Sequence, residues 1–477
     1  AVSVMREVLD SHPAEGEMRL FAANHLQGIN CWDESRAILV KAEKRARRSA
    51  WLSGMARQVE LEGNRNQAAE YYRELLTLDQ TDLDAHLFIA THLEESAGIT
   101  NALEYLGKAV AMSQDYPPLV ELYVDWLSEA GQMALAKKIL KKRQQDDPNH
   151  AWILRELARL EALSGENQAA LVYAKKAVHI DPNDAVNHEI AGWVARRLGD
   201  SDSAKSSFRK AVCLDVDREF AMRELMLMAV TGQERSDLAG LLVGEFQRQV
   251  IDGGGLLVFQ QEGRNNIDDD KLLQHLRQAH ETRPDLWQAW SALINQLQEM
   301  DRPQQALDIA RGMVQRFSNL PRAYMDLSVA YRLCNDEEGE IQALRQSLEL
   351  SPKWPRPIQR LVDLAEERGD WQEYNRNINK ALDLDPMYAP YWGYRSASQE
   401  HEGKIDQAIS SLEKAVELDR NYEWAWNQLS RLYSLIEQPE RILQPLRHNC
   451  ERFPGEVAVH QRLARFCDEP AETAACL

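Results

Sequence analysis

The sequence predicts an all-α solenoid, a chain of helical hairpins in which each unit covers the apolar flank of the next. Three observations predict it. A glycine series and a proline series share one spacing of 34 residues. Between those marks apolar residues recur at i, i+3, i+4 and i+7, the period of amphipathic helices and not of strands. The composition, 44% hydrophobic and 27% charged, is that of a folded globular chain. A length of 477 residues would ordinarily be split into about three domains, an expectation that a repeat removes.

The glycine series pairs each glycine with an alanine five residues on: Gly63 and Ala68, Gly131 and Ala136, Gly165 and Ala170, Gly199 and Ala204, Gly403 and Ala408. The prolines Pro148, Pro182, Pro284, Pro352, Pro386 and Pro454 lie at whole multiples of 34 from one another. Units therefore open at Ser49, Leu83, Pro117, Ala151, Ala185, Glu219, Gly253, Trp287, Pro321, Pro355, Ala389 and Glu423, with no insertion. A further unit, one residue short, spans Gly16 to Arg48. Each unit holds two helices of about 12 to 14 residues. Glycine at position 15 takes the left-handed conformation that ends the first helix, and small residues at positions 8 and 20 let the two helices approach. Asp or Ser before Pro, as at Asp147, Asp181, Ser351 and Asp385, stops the second helix.

This pattern resembles the tetratricopeptide repeat family. The likeness rests on a large residue at position 4, small at 8, aromatic or aliphatic at 11 and 24, Ala at 20 and 27, and Pro at 32. Gly192, Gly199, Ala204, Phe208 and Ala211 show it in one unit, Trp392, Ala408, Leu412 and Ala415 in another, and Trp426, Tyr433 and Pro454 in a third. The resemblance implies a right-handed superhelical α-solenoid of stacked helix-turn-helix repeats, with first helices lining the inner wall. The expected organisation is a second-helix remnant at 1–15, six repeats at 16–218, two degenerate repeats at 219–286, five repeats at 287–456, and a partial repeat with a C-terminal tail at 457–477. In 219–286, Leu238 and Leu272 stand where small residues belong and Gly253 to Gly255 open a unit. That segment reads either as a bend or contact site, or as drifted repeats held by their neighbours.

The chemistry of enzymes is not legible. Gly253 to Gly255 begin a stretch that lacks the Lys-Ser/Thr ending of a phosphate loop. His86 with His92, and His275 with His280, are spaced onto different helix faces, while Cys467 with Cys476 and His448 with Cys450 have no partner motif, so neither metal nor cofactor is expected. Six cysteines without a CxxC fit a reducing, cytoplasmic setting. No apolar run approaches the roughly 18 residues of a membrane span, and the first residues lack the features of a signal peptide. The chain has no initiator Met, and Val4 to Leu9 reads as the tail of a helix ending at Pro13, so a piece cut inside a repeat is expected. A net charge of −19 weighs against nucleic acid and anionic membranes as partners.

What remains is a surface. If positions 2, 5, 9, 12 and 13 line a groove, as in the family, its charge is segregated. Asp84, Glu94, Glu95, Glu121, Asp125 and Glu129 come first, then Arg155, Arg159, Arg196, Arg197, Arg223 and Arg264. Arg322 and Arg332 follow, and Asp363, Glu366, Glu367 and Glu400 close the series. Trp152, Trp193 and Trp424 fall on the same face, either as anchors for a partner or as packing against the adjacent first helix; Trp290, Trp392 and Trp426, at position 4, are structural. Arginine forks suit carboxylates, so the expected ligand is a protein or peptide presenting an acidic segment or a carboxylate terminus. The competing reading pairs these arginines with Glu156, Glu189 or Glu224 across neighbouring helices of the chain itself. The family's chaperone-tail clamp and its asparagine ladder are both absent. The function expected is a non-catalytic protein–protein interaction scaffold. The alternatives are the recognition arm of a larger multidomain enzyme or signalling ATPase, or a helical-repeat enzyme subunit like the prenyltransferase alpha chain, which Trp424-Ala425-Trp426 suggests and the 34-residue register opposes.

Overall fold

The computed structural model describes residues 9, 15–28, 32–249, 251–452 and 457–466. Pro13, Cys31, Pro454, Cys467, Cys476 and residues 4–8 of the expected helix remnant lie outside the described residues. Among the described residues there are 27 α-helices, one short 3-10 helix and no strand. The fold is an all-α solenoid of helical hairpins. The second helix begins at position 17 in every unit opening from Ser49 to Ala389 except the one that opens at Glu219.

Three local devices repeat with the register. The first is the turn at position 15, which is left-handed in nine units. Glycine fills it at Gly63, Gly131, Gly165, Gly199, Gly369 and Gly403, but Asp301, Asn335 and Glu437 hold it with φ of 53°, 56° and 59°. A Cβ at Gly165 or Gly199 would touch nothing within 4 Å, so backbone conformation and not space selects glycine there. Glu437→Gly is therefore expected to stabilise the last hairpin by about 1 kcal/mol, read as a shift of the urea midpoint.

The second device ends the second helix. Asp79, Asp147, Asp181, Asp215, Asp385 and Asp419, all at position 31, accept the backbone N–H two residues on at 2.8 to 3.3 Å. The third device ties each unit to the one before. A donor at position 4 reaches back six residues to a backbone carbonyl: Trp290 to Pro284 at 3.1 Å, Tyr324 to Ser318 at 3.2 Å, Trp392 to Pro386 at 2.8 Å and Trp426 to Arg420 at 2.9 Å. His86 and His188 face Gln80 and Pro182 in the same way. The large residue at position 4 thus fills space and also satisfies a loop carbonyl that would otherwise lack a partner.

The helices form two compact units, Leu127–Ser347 and the remainder of the chain on both sides of it. In Leu127–Ser347 one apolar cluster runs from Ala195 to Ala343 through Phe208, Phe246 and Phe259, each at most 2% exposed. Phe246 and Phe259 meet edge to face with ring centroids 5.8 Å apart. Phe208 lies on Gly192, where a Cβ would sit 2.7 Å from its ring. The small residue at position 8 therefore makes room for the aromatic at position 24. In the other unit, Trp51, Leu52, Tyr72 and Phe88 form one cluster and Leu412, Trp426, Leu429 and Tyr433 another. There Lys353 donates to the carbonyl of Leu61 and lies 4.4 Å over the Trp32 ring, and burial pushes its ammonium below the usual lysine range.

The degenerate stretch keeps its helices by redistributing residues. In the unit opening at Glu219 the first helix is only Glu219–Leu227 and the second is Gly232–Arg248. Thr231 and Glu234 form a reciprocal capping box, which starts the second helix early and turns Ala239 inward in place of Leu238. In the next unit Leu272 is fully buried, and the space it needs is left by Gly263, whose Cβ would lie 2.9 Å from the leucine. Large and small have exchanged helices there. His280 packs edge-on at 4.2 Å against Trp290, and burial lowers its pKa and that of His275. A histidine with a folded pKa below its unfolded value of about 6.5 stabilises above that pH and loses the contribution as pH falls through the folded pKa. Thermal stability is expected to drop between pH 7 and pH 5, and His280→Phe to flatten the profile; an unchanged slope would contradict this.

Candidate partner-binding face

Within Leu127–Ser347 the first helices pack side by side, Ala185–Arg197 against Glu219–Leu227, then Gly254–Asn266, then Trp287–Glu299. The expected arginines lie on them, and carboxylates of the chain hold nearly all of them. Arg196 pairs with Glu224, Arg223 donates to Glu262 at 3.2 Å, and Arg264 donates to Glu299 at 2.8 Å. Each of these three bonds bridges consecutive repeats. Arg155 donates to Asp184 at 2.6 Å and Arg159 to Glu156 at 2.6 Å, with Arg155 also 3.7 Å from Glu156. Pairing across neighbouring helices is thus seen at Glu224, whereas Glu156 meets Arg155 and Arg159 within its own helix. Glu189 instead binds Arg218 at 2.5 Å and accepts the Ala221 N–H at 3.2 Å. The Glu189 bond raises the Arg218 pKa, with burial opposing it.

Arg197 is the exception. It donates to the neutral Asn167 at 3.1 Å and its guanidinium lies 5.3 Å over Trp193. Trp193 is half-buried against the main cluster, so one edge remains on the surface beside exposed Arg196 and Arg197. Trp152 is half-buried and edge-on to His150 at 6.4 Å. Trp424 is 42% exposed and covers Gly393, where a Cβ would meet its ring at 2.8 Å, which is packing on the preceding first helix. The structure brings Trp193 to Arg197 and Arg155 to Arg159 through Glu156. It gives Arg196, Arg223 and Arg264 separate partners.

The glycine run has a local use that its sequence did not reveal. The N–H groups of Gly253 and Gly255 converge on the Asp217 carboxylate at 3.2 and 2.8 Å, and the Asp252 N–H joins them. An anion does sit at this helix N-terminus, but it is a side chain of the protein, from the unit that opens at Ala185, two units earlier. Glu219 comes equally close, since a Cβ on Gly254 would lie 2.8 Å from its carboxylate oxygen. Among the described residues no group of three or more His, Cys, Asp or Glu is placed to hold a metal, and no helix is long and apolar enough to cross a membrane.

A family model described as "Tetratricopeptide repeat" matches residues 321–353 and 396–422, in the register of the hairpins above. The chain carries tetratricopeptide repeats. Two curated relatives of this TPR chain align at low identity. One is Protein CTR9 homolog of Arabidopsis thaliana, 23% identical over 57% of this chain and 26% of the relative. The other is Protein O-mannosyl-transferase TMTC3 of Homo sapiens, 21% identical over 70% of this chain and 34% of the relative. The TPR chain thus spans between a quarter and about a third of the curated relatives it matches. The solved structure of Naa15/Naa10 bound to HypK-THB aligns over 99% of this chain and 82% of that one, with 12% identity and a TM-score of 0.34.

Proposed function

We propose that this TPR chain is a non-catalytic protein–protein interaction scaffold that grips a partner on the first-helix face of residues 151–299. The observation that supports this most is Trp193 with Arg197 laid across it, an aromatic and a cation exposed together on a row of packed helices. A partner's carboxylate reaches Arg196, Arg223 or Arg264 only by exchange for Glu224, Glu262 or Glu299. Such exchange leaves the largely buried Glu224 and Glu262, or the exposed Glu299, without its arginine and gives little net free energy, so the aromatic contact carries most of the affinity. Affinity purification with wild type and with Trp193→Ala/Arg197→Glu tests this. Proteins recovered by the wild type should be lost from the variant, and an identical set from both would reject this face.

A second reading, the recognition arm of a larger enzyme, draws on the match to about a third of an O-mannosyl-transferase. The mass of the full-length cellular product separates the two.

A further inference from the structure

A different face of Leu127–Ser347 carries uncommitted positive charge. The second helices Met133–Asp146, Asn167–Ile180 and Ser201–Leu214 together hold ten Lys and Arg against two acidic residues, in a chain whose net charge is −19. Positions 25 and 26 of three successive repeats are Lys141 and Lys142, Lys175 and Lys176, Arg209 and Lys210, all exposed. Because the 34-residue register is unbroken here, these pairs fall on the same face of consecutive second helices.

Part of this charge has partners within the chain, Lys142 and Arg143 among them. Lys137 and Lys141 reach Glu161 on the next first helix at 2.6 and 3.3 Å. Burial works to raise the Glu161 carboxyl, and the two ammonium groups more than offset it. Lys205 holds Glu234 at 2.8 Å. Lys138, Lys175, Lys176, Arg209 and Lys210 make no ion pair among the described residues, unlike the glutamate-bound arginines of the first-helix face.

Two adjoining hollows lie along this face and share Gln145. One, of about 530 Å³, is walled by lysines of Met133–Asp146. The other, of about 490 Å³, sits between consecutive repeats, where Pro148, Leu154 and Ile180 give it an apolar side and Lys176 and His179 a basic one.

We propose that this second-helix face docks an acidic segment of a partner protein, with one apolar side chain of that segment seated against Pro148, Leu154 and Ile180. This is a surface separate from the first-helix face. Charge complementarity selects a carboxylate-rich ligand, and the long-range field of the acidic chain selects a short one. A nucleic acid fits less well. Its charge density meets that repulsion along its length, and neither hollow offers a Trp, Tyr or Phe on which a base could stack. A lipid surface does not enter a hollow between repeats.

The test uses the full chain and a fluorescein-labelled short peptide of Asp and Glu around one central Leu, followed by fluorescence anisotropy. Binding should weaken as salt rises. Lys138→Glu/Lys176→Glu/Lys210→Glu should weaken it at least tenfold, while the charge-matched Lys41→Glu/Lys44→Glu/Lys380→Glu, at exposed lysines outside this face, changes it by less than about twofold. Carbodiimide cross-linking of the peptide to the wild type should label Lys138 and Lys176, which supports the assignment without any variant having to fold. Absence of peptide binding, an undiminished affinity in the Lys138/Lys176/Lys210 variant, or an equal loss in the Lys41/Lys44/Lys380 variant overturns the proposal. So does tighter binding of oligothymidylate or of phosphatidylserine vesicles than of the peptide.

Discussion

Trp426→Ala is expected to destabilise the C-terminal hairpins by about 3–5 kcal/mol, the cost of emptying a fully packed indole site. The ring is completely buried, its Nε1 donates to the Arg420 carbonyl at 2.9 Å, and the Arg462 guanidinium lies 5.8 Å above it. Arg462 is itself buried and donates to the same carbonyl at 2.6 Å and to Glu423 at 2.8 Å, so removing the indole leaves a charged group over a cavity. Trp426→Phe keeps most of the volume and loses the hydrogen bond, for about 1 kcal/mol. A solenoid unit is held mainly by its neighbours, so hydrogen exchange should accelerate in Ile405–Leu418 and Glu423–Leu435 while Ala185–Arg197 is unchanged. A uniform acceleration would contradict nearest-neighbour coupling.

The second large effect is Gly255→Ala. A Cβ there would lie 2.4 Å from the backbone oxygen of Val216 and 3.2 Å from Asp217, so the loop itself has to move. Moving it loosens the amides of Gly253 and Gly255 from the Asp217 carboxylate. Overpacking of this kind costs about 1–3 kcal/mol and the unsatisfied carboxylate about as much again. A loss of about 2–6 kcal/mol in urea unfolding is therefore expected, with Gly240→Ala, a helix-interior site where a Cβ meets nothing within 4 Å, as the control that gains about 0.5–1 kcal/mol. A Gly255→Ala variant as stable as wild type would remove the glycine run from the account.

How much of this was legible follows from which interactions are local. Helix starts at positions 1 and 17 could be read because the punctuating Gly and Pro and the apolar period are properties of single hairpins. The left-handed turns at Asp301, Asn335 and Glu437 carry no glycine, and only the register points to them. Thr231 and Glu234 spell a capping box in the sequence, a signal that places the short first helix of that unit, and Gly263 stands opposite Leu272 as the missing small residue. The arginine row was visible and Glu224 with it, but Glu262 and Glu299 were not, since they lie 39 and 35 residues away from Arg223 and Arg264. The basic second-helix face went unread because positions 25 and 26 are not groove positions, although their 34-residue recurrence was in plain view.

The central claim is that 34-residue hairpins, each held by its neighbours, build this chain. Native-state hydrogen exchange at single-residue resolution from 49 to 435 tests it most directly. Protection should rise and fall with a period of 34, weakest near positions 15 and 32, and in the unit opening at Glu219 the weak point should move to 228–231. Protection with no such period, or strongly protected amides through 228–231, would contradict it.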